Sequence, residues 1–142
     1  MKKLAMVFLL ALVASVSFGQ ISISQQKTIG VIRNGGSEDV SISKSEQSIT
    51  IKYMGIDEER KWNSDFVKFQ GGEKEIDQLY NAFLQVLESE EKNSSVDITL
   101  GEGTTLFIEK TKVMGISYIT LGNGKTKTRP LNKNQITKLF GR

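Results

Sequence analysis

Lys125, Lys127 and Arg129 alternate along the chain, and in a strand that alternation puts three cations on one face. Tyr118, on the preceding strand, is placed to join them if the two strands form a hairpin. Such a cluster could meet an anionic glycan, lipid headgroups or an acidic envelope protein. A strand carrying lysines also resists pairing with a second chain, and that edge-guarding role is the preferred reading of the cluster. Nucleic acid is not an expected partner. Once Lys2 and Lys3 are set aside, seventeen basic residues face sixteen acidic ones, too even a balance for a polyanion of that charge density.

The rest of the chemical repertoire is narrowed by what is missing. The chain has no histidine and no cysteine. Ser-His-Asp and Cys-His nucleophilic systems cannot be assembled from it, nor can a zinc site held by imidazole or thiolate. A Ser-Lys dyad or a pair of carboxylates acting on a glycoside remains open, but no spacing singles out a pair. The expectation is therefore a non-enzymatic binding or envelope-associated module, with no cofactor and no metal. A small hydrolase using carboxylates or a Ser-Lys dyad is the alternative.

Three motifs read as turns. Asp57-Glu58-Glu59 lacks the alternating ligands, central glycine and late glutamate of a calcium loop. Gly122-Asn123-Gly124-Lys125-Thr126 ends like a phosphate-binding loop, but Ile119 stands where the first glycine is required. Gly101-Glu102-Gly103 has only a lone pair of glycines. Asn93-Ser94-Ser95 matches a glycosylation acceptor and is read as a loop following a helix.

The start of the chain gives an address. Lys2 and Lys3 precede an apolar run from Leu4 to Val16, and Ser17 and Gly19 are small residues before Gln20. That resembles a bacterial secretory signal peptide covering 1–19, and the run is too short to span a bilayer. No cysteine follows it to carry a lipid. The mature protein is expected to be one domain, 20–142, in the periplasm, at the cell surface or released, with no transmembrane segment after cleavage. It has no thiols, so packing alone must hold it.

Charge is unevenly placed. Asp57 to Lys92 carries ten acids and five bases, whereas Glu109 to Arg142 carries eight bases and one acid. Two oppositely charged surfaces on one domain are expected.

The elements that must position these groups follow from periodicity. Ile76, Leu79, Tyr80, Phe83 and Leu87 recur at three and four residues, giving one stripe on a helix over about 73–92. Glu73, Glu75 and Asp77 suit its first turns. Glu88, Glu90 and Glu91 do not suit its end, which should fray before Asn93. Strands are expected at Thr28–Arg33, Val40–Ser43, Ser48–Met54, Lys61–Phe69, Val96–Leu100, Thr104–Lys112 and Ile116–Leu121, with Ile21–Ser24 a further edge or frayed segment. A bulge is expected where alternation slips between Phe66 and Phe69. Leu106-Phe107-Ile108 reads as a strand covered on both faces.

Asn123-Gly124 is the signature of a two-residue type I′ turn, which would set Leu121 opposite Thr126 and Tyr118 opposite Arg129. Asn132, Gln135, Leu131 and Ile136 have the spacing of a capping box with a hydrophobic staple, opening a short helix over about 132–140. The fold class is α+β: an antiparallel sheet of about six or seven strands packed on one long helix.

Overall fold

A computed structural model describes residues 25–142. The expected signal peptide and the Ile21–Ser24 segment lie outside the described residues. The order is β1 (Lys27–Asn34), β2 (Ser37–Lys44), β3 (Ser48–Ile56), β4 (Trp62–Gln70), α1 (Glu73–Glu88), β5 (Asn93–Leu100), β6 (Thr104–Val113), β7 (Ile116–Gly122) and α2 (Lys133–Leu139), with a short 3-10 turn at Gly101–Gly103.

The class is α+β, but the strands do not form one sheet. They form two antiparallel meanders, β1-β2-β3-β4 and β5-β6-β7. The reason lies in the chain path. α1 separates β4 from β5, so each meander pairs only sequential neighbours. The two are linked through Lys127, which pairs with Ile56 at the end of β3 and with Gly122 at the end of β7. The Ile56 amide donates to the Lys127 carbonyl at 2.8 Å and the Lys127 amide returns the bond at 3.1 Å.

α1 forms where its stripe predicts and ends four residues short of Lys92. Ile76, Leu79, Phe83, Val86 and Leu87 are buried, while Tyr80 is half-buried at the rim. The Glu75 carboxylate accepts from the Gly72 amide at 2.7 Å, meeting one of the free donors at the helix start. Inner residues of both sheets close over the helix: Ile49 and Ile51 from one, Leu106, Ile108, Ile119 and Leu121 from the other. Burying each such side chain is worth about 1.5–3 kcal/mol, which is why the helix needs both sheets.

α2 is punctuated as expected. Asn132 Oδ1 accepts from the Gln135 amide and Gln135 Oε1 from the Asn132 amide, both at 2.9 Å. Phe140 then packs edge-on to Phe83, with ring centres 5.3 Å apart. The end of α2 lies directly on β1 at Gly30, where a side chain would collide with the Leu139 carbonyl.

Three local expectations change. The pairing of β3 with β4 is unbroken from Ser48–Gln70 to Ile56–Trp62, so no bulge separates Phe66 from Phe69. Strict alternation instead sends Val67 and Phe69 inward, and Trp62 and Phe66 outward. Phe107 is 37% exposed, so β6, although central in its meander, is covered on one face only.

The turn after β7 is not type I′, because of the two central residues only Gly124 has a positive φ, 95°. Asn123 Oδ1 accepts from the Lys125 amide at 2.9 Å and the Thr126 amide at 3.2 Å, closing a four-residue loop. Leu121 therefore faces Thr128 rather than Thr126, and Ile119 faces Leu131. Arg129 and Pro130 both fall against Thr120, so Tyr118 is not opposite Arg129. No helix among the described residues is long and apolar enough to cross a membrane.

Candidate functional site

The register shift is by two residues, so the alternation survives it. Thr126 and Thr128 are buried toward the core, while Lys125, Lys127 and Arg129 are exposed on the outer face. These cations run along the seam between the two meanders. Tyr118 is half-buried on β7, where it pairs with Thr111. The seam thus gathers three of the four residues singled out by sequence.

The loop that presents the seam is held from below. Asp65 Oδ2 accepts from Asn123 Nδ2 at 2.7 Å and lies 2.9 Å from Thr126 Oγ1. Tyr53 Oη lies 3.1 Å from the same threonine oxygen. A hydroxyl has one proton to give and an ionised carboxylate has none, so Thr126 donates to Asp65 and Tyr53 donates to Thr126. Burial works to raise the Asp65 carboxyl. The Phe66 amide, Asn123, Thr126 and the Lys125 charge outweigh it and hold that carboxyl below its ordinary range. Burial also pushes the Tyr53 phenol up, and the nearby Asp65 charge adds to this. Gly55 and Gly122 let the strands approach this loop: a side chain on either would run into Thr126.

Above the loop, Arg129 and Lys127 have side-chain partners. Arg129 lies 4.7 Å from the centre of the Trp62 ring and 3.7 Å from the Asp39 carboxylate. Lys127 reaches Glu109 at 3.5 Å, both groups half in solvent, a contact of little energy. Trp62 is 42% exposed and Phe66 57%. Lys52 stands opposite Phe66 and Lys68 opposite Thr50 on the same outer face, both exposed. Two accessible aromatic rings are therefore interleaved with Lys52, Lys68, Lys127 and Arg129.

A cleft of about 670 Å³ opens beside the seam, lined by Ile56, Phe107, Thr120, Lys125 and Lys127 among others. Its charges balance, with Arg60, Lys125 and Lys127 against Asp57, Glu58 and Glu109. Asp57 is committed to its own turn: its carboxylate accepts from the Lys61 amide at 2.9 Å and from Asn63 Nδ2 at 3.2 Å. The Thr120 hydroxyl is buried without a hydrogen-bond partner among the described residues.

One Ser-Lys contact does form, away from the seam. Lys110 Nζ lies 3.1 Å from Ser89 Oγ. Ser89 Oγ gives its proton to the Val86 carbonyl at 2.9 Å, and Lys110 also donates to the Ser89 carbonyl. That arrangement closes the end of α1.

Trp62, Phe66, Lys52 and Lys68 were not singled out by sequence. The signal was parity: Trp62, Phe66 and Lys68 share one phase of β4, and Val67 and Phe69 share the other. Comparison with known protein families, with curated proteins and with solved structures finds no match.

Proposed function

We propose that this chain is an exported, non-enzymatic binding module that captures an anionic glycan on the outer face of its first meander and along the seam. The observation that carries the reading is the Arg129–Trp62 stack, with the open Phe66 ring farther along the same face of β4. Flat aromatic faces suit the apolar faces of sugar rings, and the surrounding cations suit carboxylate or sulfate groups.

The test is retention on an immobilised polyuronate. Replacing Lys125, Lys127 and Arg129 together by Glu is expected to abolish it. Because any cationic surface adsorbs a polyanion, the deciding variant keeps the charge: Trp62→Ala with Phe66→Ala should also weaken retention by about tenfold, as loss of one or two stacking contacts would. Retention that depends on charge alone would refute the glycan reading.

The Ser89–Lys110 contact is the one observation that favours a small hydrolase. The commitment of both groups to the end of α1 supports a structural role instead. Turnover of an activated ester that disappears in Ser89→Ala would reverse that preference.

A further inference from the structure

The turn joining β6 to β7 combines two features that work against each other. Met114 and Gly115 both take left-handed backbone, with φ of 52° and 81°, the pattern of a two-residue type I′ turn. Glycine adopts this without strain, and Asn or Asp adopts it with help from a short polar side chain. Methionine has neither advantage. Yet the Met114 side chain is 97% exposed, so no packing offsets the strain.

Its neighbours extend the apolar end. Val113 and Ile116 pair across the hairpin and are 51% and 52% exposed. No polar side chain occurs between them. The tip also stands clear of the sheet. β5 stops pairing at Asn93–Thr111, so the rungs Lys112–Ser117 and Val113–Ile116 have no third strand beside them. The result is a convex apolar finger, strained at its most exposed residue. Strain of this kind points to a contact made there, and a projecting tip suits a partner that yields to it.

The residues behind the tip indicate which partner. Lys112 lies one rung back, and the half-buried Tyr118 one rung further, opposite Thr111. Lys92 precedes Asn93 on the neighbouring strand, adjoining the exposed Glu90 and Glu91 of the link from α1. Apolar side chains at the tip, backed by a cation and a phenol, match a bilayer's hydrocarbon edge and the headgroup level beside it, where lysine and tyrosine sit. We infer that the Val113–Ile116 tip inserts into the apolar boundary of a lipid bilayer and holds the protein against a membrane surface. Insertion of so few side chains gives reversible association, comparable to or weaker than a single acyl chain.

The test uses protein beginning at Gln20, since every buried core residue among the described residues lies between Ile32 and Phe140. It is sedimented with vesicles of phosphatidylcholine, alone or mixed with phosphatidylglycerol, in about 0.5 M salt, where surface charge is screened within a few ångströms. Binding to both compositions is expected. Met114→Asn and Val113→Asp should each lower it at least about tenfold, as removal of an inserted apolar side chain predicts. Met114→Asn should also melt at the same or a higher temperature, because asparagine relieves the turn, and should keep its retention on polyuronate. Failure of the parent protein to bind vesicles, or unchanged binding by Met114→Asn, would overturn the inference. Tip-dependent capture of a protein without vesicle binding would overturn it as well.

Discussion

Lys110 and Ser89 meet at the C-terminal end of α1, where the lysine ammonium, on a side chain only 2% exposed, donates to the serine carbonyl and hydroxyl. The last turn of α1 has no basic residue of its own and closes on Glu88. Lys110, brought in by β6, supplies the positive charge that the unpaired carbonyls and the helix dipole require. Lys110→Met keeps the apolar stem and removes the charge. It is expected to cost about 1–3 kcal/mol, the range for charged hydrogen bonds plus a helix-end charge. Urea denaturation checks this, and a midpoint equal to the parent's would show that the contact contributes nothing. Because the group is buried, the loss should persist at high salt.

The Asp65 network gives a pH dependence with a definite sign. The folded carboxyl is held below its ordinary value of 3.8, mainly through amide and side-chain bonds that outweigh burial. A depressed carboxylate contributes stability above the unfolded value and loses it as pH falls through the folded value. The Gly72 amide holds Glu75 below its ordinary value in the same way. Stability is therefore expected to fall on the acid side of about pH 4, where carboxylates of the unfolded chain begin to protonate. Asp65→Asn should flatten part of that acid limb and loosen the Asn123–Thr126 loop. Denaturation midpoints measured from neutral pH downward test it. An acid limb identical in Asp65→Asn and parent would contradict the assignment.

Gly30 is the point where α2 rests on β1. A methyl group there would strike the Leu139 carbonyl, which is backbone and cannot swing aside. Gly30→Ala is expected to destabilise the fold by about 1–3 kcal/mol, the usual cost of overpacking a filled contact. Hydrogen exchange should show the loss first in Ile136–Phe140. Uniform exchange across the chain would indicate that α2 is not a separately seated element.

What could be read from the sequence was what local pattern determines. The α1 stripe and the Asn132–Gln135 capping box are set by spacing within a few residues, and both formed as read. The seam register was lost because Asn-Gly is a local signal overridden at a distance. Asn123 spends its side chain on the Lys125 and Thr126 amides and on Asp65, and the turn widens to four residues. The division into two meanders was hidden because periodicity says which residues alternate but not which strands meet across α1. The aromatic part of the candidate site was hidden for a simpler reason. The slip in alternation between Phe66 and Phe69 conceals which residues of this strand face out, whereas the uninterrupted β3–β4 ladder turns Trp62 and Phe66 to solvent.

The central claim concerns Trp62, which is the only tryptophan in the chain. Its emission therefore reports on the outer face with no background from other tryptophans. Titration with a soluble polyuronate should give a saturable change in that emission. The change should be lost in Arg129→Glu and absent with a neutral glucan of similar length. Emission that stays unchanged while the polymer binds elsewhere, or a response as large with the neutral glucan, would contradict the account.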